Sequence, residues 1–379
     1  MAPMQVGFYG HVRQYHNLQK EIDEAIHEVL ESGSYVLGPK VKQFEQELAT
    51  YCRMKEAVGV NSGTDALWLA FLALGIGPGD EVITTSNTFF ATAEAVWLIG
   101  ATPVFVDIDP QTCNLDTRLI EAAISPKTKA LVPVHLYGQA AAMRAVANIA
   151  KAHNLFVVED AAQALGARGD DFAVGELSDA VCTSFIIQKN LGCFGDGGAV
   201  ITNNTPLATE VRKLRNHGSL KRSRHSIGYN SRLDEFHAAV LSVKLKCLDQ
   251  LNDQRRAHAA RYDAGLAGTS LKLPSALPGY RHIFHLYVVE TEDRNGLQAF
   301  LDSQGITALT HYPIAIHQQE GFPWGHDARI AGSLEHTERS AARVLSLPMY
   351  PELTPEEVQY VIDAIRGWDK AHGAKAQAV

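Results

Sequence analysis

Apolar positions along the chain follow two rhythms. From about residue 57 to residue 202, short runs rich in Val, Ile, Leu and Phe alternate with longer segments of helical period. AVGV leads through Asn61, Ser62, Gly63 and Thr64 into the helical segment DALWLAFLALG. GDEVITTS, TPVFVDID, KALVPVHLYG and LFVVED then read as strands, separated by the helical segments TFFATAEAVWLIG, LIEAAISP and AMRAVANIAKAHN. Strands that are apolar throughout, alternating with helices, predict an α/β fold with a mostly parallel sheet covered by helices on both faces. The last pair of runs, in VCTSFIIQKNLGCFGDGGAVIT at 181–202, flanks a polar, glycine-rich turn that carries Lys189.

Outside this region the helical rhythm dominates. YHNLQKEIDEAIHEVLES and PKVKQFEQELATYC predict two amphipathic helices, with Pro39 at a first helical position. FHAAVLSVKLKCLDQLNDQRRAHAARY reads as one long helix, with Val240, Val243, Leu248 and Leu251 on its buried stripe. Pro274, Pro278 and Gly279 interrupt the pattern, which puts a boundary near 255–275. Residues 1–260 are thus expected to form the N-terminal helices and the large domain, and 261–379 a small α+β domain whose end frays after about 370.

Composition narrows the function. A formal charge of -8, with the basic residues in no dominant block, argues against nucleic acid or an anionic membrane as partner. The five cysteines form no Cys-x-x-Cys pair and are odd in number, so neither a disulfide framework nor a metal site is expected. MAPMQVGFYG lacks a basic stretch leading into an apolar core, and no run approaches the length of a membrane span, so a cytoplasmic protein is expected.

Small-molecule chemistry then has definite candidates. In open parallel sheets ligands bind beyond the carboxyl ends of the strands. Ser62 to Thr64, Asp160 and the loop of Lys189 all follow predicted strands, so one cleft can gather them. A strand entering a helix through Ser-Gly-Thr offers free N–H groups and the positive end of the helix dipole to an anion, although Ser62 can equally be a helix cap. Asp160 can be a strand-end cap, Phe89 a core aromatic and Asn230 a turn residue. GIGPGD at 75–80 precedes a strand, which is the wrong context for a dinucleotide fingerprint.

SGTDAL, EDAAQALG, SFIIQKNLGCFGDGGAV and GYNSRLDE occur in that order, with HYPIAIH and LSLPMYP in the tail. Together they resemble the DegT/DnrJ/EryC1/StrS sugar aminotransferases, enzymes of the aspartate-aminotransferase fold that use pyridoxal 5'-phosphate. KNLG followed by GDGG is similar to the subgroup that aminates 3-keto nucleotide sugars. The resemblance implies that Lys189 forms the Schiff base with the cofactor, that Asp160 pairs with the pyridine nitrogen and that Gln163 lies by the ring oxygen. It implies further that Gly63, Thr64 and Ser184 hold the phosphate, that Phe89 stacks on the ring, and that Asn230 reaches the same phosphate across a homodimer interface. His311 and Tyr312 would lie near the sugar. L-Glutamate is the implied donor and a nucleotide sugar the acceptor.

Some positions depart from the family pattern. Ile186 and Ile187 stand where an aromatic or histidine and then proline or alanine are usual, and His237 replaces a glutamine. These departures bear on the sugar and leave the Schiff-base residues intact. A deoxysugar dehydratase of the same family would carry histidine in place of Lys189; a regulator that binds cofactor without turnover is the other alternative.

Overall fold

The chain is described by a computed structural model covering residues 4–221 and 223–376, the last four by their backbone. Two N-terminal helices, α1 (His11–Asn17) and α2 (Gln19–Ser32), replace the single one expected, because the chain turns at Leu18. α3 (Pro39–Tyr51) starts at its proline. The alternating region follows as β1 (Glu56–Val60), α4 (Gly63–Ala73), β2 (Glu81–Thr85), α5 (Ala91–Leu98), β3 (Thr102–Val106) and α6 (Ile120–Ala123). It continues with β4 (Thr128–Leu131), α7 (Met143–His153), β5 (Phe156–Asp160), β6 (Ala180–Ser184) and β7 (Gly198–Thr202). β4 is shorter than the apolar run suggests. Pro133 has no N–H for a ladder, and beyond it only Val134 bridges to Asp160 before Tyr137 takes up a left-handed backbone.

Seven of these strands and the short β9 (Arg329–Ile330) form one sheet in the order β1-β7-β6-β5-β4-β2-β3-β9. Only β7 runs antiparallel to its neighbours, so the sheet is mostly parallel as expected. Alternate side chains go to opposite faces, as the two-residue period of a strand requires. Val58 and Val60 pack with Leu69, Phe71 and Val96, while Ala57 joins Phe44, Leu48 and Val146 on the other face. A sheet buried on both faces explains why its strands carry no polar alternation.

The chain then forms α8 (Thr205–Leu214), α9 (Glu235–Leu245) and α10 (Leu248–Leu266). The expected single helix is therefore broken at Lys246–Cys247. Each half has its own packing: α9 lies against α2 and α3, and α10 leads away from the sheet. Leu248 belongs to the core on the sheet, whereas Ala259, Tyr262 and Leu266 belong to a second core. That second core also takes residues from β8 (Tyr287–Glu290), α11 (Arg294–Ser303), β10 (Val344–Leu347) and α13 (Pro355–Ala376), with α12 (Glu335–Arg343) packing behind β8. Val6, at the other end of the sequence, inserts into it through backbone bonds to Gly305 and Thr307. α13 continues helical to Ala376, and the rest of the segment expected to fray lies outside the described residues. Among those described, no helix is long and apolar enough to cross a membrane.

Candidate active site

β1, β5 and β6 end at the same edge of the sheet, where β7 begins: Gly198 pairs with both Val60 and Ser184. A cleft of about 430 Å³ opens there, closed on the far side by residues packed around the second core. The sheet wall carries Gly63, Thr64, Phe89, Asp160, Ser184 and Lys189. His285, His311 and Tyr312 face them, and Phe8 to His11 of the N-terminal segment complete the rim.

The anion cradle is built by close approach. A Cβ on Gly63 would lie 2.7 Å from Ser184 Cβ, and one on Gly198 would lie 2.2 Å from the Ser62 carbonyl oxygen, so only glycine lets the start of α4 sit against the ends of β6 and β7. Ser62 is the N-cap, its hydroxyl accepting the Asp65 N–H at 3.0 Å. The N–H groups of Gly63 and Thr64, first in the helix, have no intrahelical acceptor and remain for a ligand, with the Ser184 side chain beside them. The cap and the anion site thus coexist.

Asp160 is buried at the end of β5. One carboxylate oxygen accepts the Thr92 hydroxyl at 2.8 Å and the other the Ala162 N–H at 3.1 Å, which fixes its plane and leaves further lone pairs toward the cleft. The preceding residue points the other way. Glu159 accepts from His135 Nε2 at 2.6 Å and from the Gly175 N–H at 3.0 Å. His135 Nδ1 accepts the Ala141 N–H at 3.0 Å, so the proton sits on Nε2 and the tautomer is fixed. This wholly buried pair clamps the strand end that presents Asp160.

Lys189 lies in the β6–β7 loop, partly open to the cleft, with its amine surrounded by protein. Burial lowers its pKa to about 8, opposed by attraction to Asp160. The next residue anchors the loop: the Asn190 amide donates to Asn252 of α10 at 2.7 Å, and its oxygen accepts from His285 Nδ1 at 2.9 Å. With Nδ1 donating, His285 keeps Nε2 as an acceptor. Burial holds His285 neutral, helped by the neighbouring Lys189 and Arg255 charges. His311 is likewise pushed down, to about 4, by burial and then by Lys189, while its Nδ1 pairs with the Ser346 hydroxyl at 2.9 Å.

Gln163 lies just behind the cleft wall rather than on it. Its oxygen accepts the Tyr137 N–H at 2.7 Å, and its amide donates to the Tyr312 hydroxyl at 3.0 Å, so it links β5 to the tail segment. Phe89 is 56% exposed, with its ring centroid 5.8 Å from that of Tyr312. Asn230 is not in this cleft. It is exposed, its backbone bridges to Asn216, and its neighbour Ser231 is tied to Asp65 of α4 at 2.6 Å. Ile186 and Ile187 both face the cleft and make part of its wall apolar, whereas His237 lies under Gly195, outside it.

His285 and Arg255 carried no local signal. One sits in an apolar strand-like run and the other among helical arginines, and both reach the cleft only through packing of the second core.

A buried amine, a fixed carboxylate in the same cleft and a helix-terminus anion cradle are the groups that pyridoxal phosphate requires: a lysine that can be neutral, an acid for the ring nitrogen and donors for the phosphate. Comparison with known proteins agrees. Over 356 residues, 93% of each chain, the sequence is 49% identical to the dTDP-3-amino-3,4,6-trideoxy-alpha-D-glucose transaminase of Streptomyces venezuelae. It is also 49% identical over 357 residues, 93% of this chain and 95% of the other, to a protein of Geobacillus stearothermophilus named a pleiotropic regulatory protein. NtdA of Bacillus subtilis, solved with bound cofactor PMP, superposes with a TM-score of 0.89 at 35% identity, covering 97% of this chain and 85% of that one. Residues 16–366 match the profile of the DegT/DnrJ/EryC1/StrS aminotransferase family, and the chain belongs to that family of pyridoxal-phosphate-dependent enzymes.

Proposed function

We propose that the chain moves an amino group from L-glutamate to the ketone of a nucleotide-linked sugar, with a 3-keto-6-deoxyhexose on a nucleoside diphosphate as the expected acceptor. The observation that carries this reading is the Lys189 amine, held in the cleft with a pKa lowered to about 8 and attracted by Asp160. The name of the S. venezuelae relative supports the choice of acceptor. When bound, pyridoxal phosphate supplies the electron sink for the donor's α carbon and carries nitrogen between the two half-reactions.

The protein's part is positioning and proton movement. Lys189 would hold the cofactor covalently and, once released, move the proton at the donor's α carbon. The Asp160 carboxylate would keep a proton on the ring nitrogen, its own orientation set by Thr92 and Ala162. Gly63, Thr64 and Ser184 would hold the phosphate, and Phe89 would cover the ring. Gln163 would lie by the ring oxygen, its amide oriented by Tyr137 and Tyr312. His311 and Tyr312, across the cleft, are assigned to the sugar.

Asn230 is assigned to the partner's phosphate in a homodimer, which accords with its exposure and its distance from its own cleft. Mixing Lys189→Ala with an Asn230 variant defective in cofactor binding should restore activity in heterodimers; verified heterodimers without recovery would return Asn230 to a turn role. The division at residue 260 is likewise proposed, with the cleft between the two parts.

Incubation with L-glutamate and a panel of keto-sugar nucleotides, followed by mass spectrometry, tests the whole reading. Exchange of one ketone oxygen for an amine, with matching 2-oxoglutarate, is expected. Cofactor binding without product from any acceptor would favour a regulator.

A further inference from the structure

His285 is 7% exposed and borders the cleft. Its tautomer is set by a relay that starts at a backbone carbonyl, a group that can only accept. The Leu165 carbonyl oxygen accepts from the Asn252 amide nitrogen at 3.2 Å, which leaves the Asn252 side-chain oxygen for Asn190. That oxygen accepts from the Asn190 amide nitrogen at 2.7 Å, and the Asn190 oxygen in turn accepts from His285 Nδ1 at 2.9 Å. All three side chains are buried, which holds the succession of donors in one direction. Nδ1 therefore carries the proton and Nε2 presents a lone pair. Nε2 has no partner among the described residues, and it is not one of the unpaired polar atoms sealed in the interior, so its free surface lies at the cleft that the ring borders.

The ring also sits where the two walls meet. Asn190 follows Lys189 directly, and Leu286, which follows His285, packs in one cluster with Phe8, Val134 and Tyr137. Tyr312 packs against the same cluster, and the Phe8 ring stacks on His311 with centroids 5.7 Å apart. Nε2 thus opens to the cleft between the lysine loop and the His311–Tyr312 segment.

A lone pair on a neutral ring takes a hydrogen donor and repels an anion. A diphosphate is therefore a poor occupant. L-Glutamate, with its nitrogen committed to the cofactor, has only ionised carboxylates to offer. A keto sugar carries ring hydroxyls, which donate.

We propose that His285 accepts a hydrogen bond through Nε2 from a ring hydroxyl of the acceptor sugar, and so helps select the substrate of the second half-reaction. This rests on the aminotransferase reading above.

Two substitutions divide the ring's nitrogens. The amide of His285→Asn can take the place of Nδ1 and keep the bond to Asn190, with nothing at Nε2; His285→Gln can put its oxygen where Nε2 was. The probe is the keto-sugar nucleotide that wild-type protein aminates in the mass-spectrometric panel. Its half-saturating concentration, starting from the pyridoxamine-phosphate form, should rise about 5- to 100-fold in His285→Asn, the range for a polar group left unpaired. It should fall back toward the wild-type value in His285→Gln. The L-glutamate concentration needed to bleach the cofactor band should be unchanged within error in His285→Asn. An unchanged acceptor requirement in His285→Asn would overturn the proposal. So would a defect of equal size in both half-reactions, which would assign the ring to the lysine loop. Should the variants fail to fold, a crystal structure of the wild-type pyridoxamine-phosphate form with the aminated product gives an independent answer: a sugar hydroxyl on Nε2 supports the proposal, and sugar hydroxyls bonded only elsewhere refute it. Wild-type protein that aminates no acceptor would refute the aminotransferase reading itself, a result distinct from an unchanged acceptor requirement in the variant.

Discussion

The two walls of the cleft are built by different means. On the sheet wall, each polar group stands within a few residues of a strand end and is held by partners from the same sheet and its covering helices: Asp160 by Thr92 and Ala162, Ser62 by Asp65, and the strand behind Asp160 by the Glu159–His135 pair. On the opposite wall, His285, His311 and Arg255 come from segments far apart in sequence and are held by long-range contacts to Asn190, Ser346 and Met349. The sheet wall is a rigid consequence of parallel-strand topology, suited to a cofactor that stays. The other wall is assembled by packing, suited to substrates that differ between relatives. Changes on the sheet wall should therefore damage both half-reactions together, and changes opposite should divide them.

The largest effect after loss of the lysine itself is expected at Asp160. Asp160→Asn keeps the shape, and its one oxygen can still accept the Ala162 N–H, but it cannot hold a proton on the ring nitrogen. Both half-reactions should slow by roughly 10²- to 10⁴-fold while the cofactor remains bound, as followed by stopped-flow absorbance. A loss confined to one half-reaction would break the contrast between the walls.

Gly63→Ala should act on the same wall through sterics. Its Cβ would lie 2.7 Å from that of Ser184, so α4 must shift off its cradle. A stability loss of about 1–3 kcal/mol and weaker cofactor retention are expected, read by thermal denaturation with and without cofactor. Unaltered retention would remove this turn from phosphate binding.

The smallest effect concerns pH. Capture of free cofactor needs the neutral Lys189 amine, so in apoenzyme the capture rate should climb as pH rises and level off above about 8. Asp160 raises the lysine's pKa, and Asp160→Asn should therefore move the plateau to lower pH. A plateau moving upward would place some other charge beside the amine. Folding has the same sign: the lysine pKa is depressed in the folded apoenzyme, so that protein should gain stability from about pH 8 toward the ordinary lysine value, where the unfolded chain still holds the proton.

Legibility in the sequence followed the same division. Apolar runs revealed the parallel sheet, and the rule that ligands gather beyond strand ends was enough to group Ser62 to Thr64, Asp160 and Lys189 before any contact was visible. The roles assigned to Phe89, Gln163, His311 and Tyr312 came through family resemblance. Arg255 and His285 were hidden because nothing local distinguishes a buried arginine of α10 from its exposed neighbour Arg256. The breaks at Leu18 and Lys246–Cys247 were hidden for a related reason: helical period persists through both, and the turn depends on which body each half packs against.

The most direct measurement is borohydride reduction of the cofactor-loaded protein, followed by peptide mapping of the modified lysine. A single adduct on Lys189, absent after prior conversion to the amine form with L-glutamate, is the predicted result. An adduct on any other lysine, or one that glutamate leaves unchanged, would contradict the assignment of this cleft as the site of amino transfer.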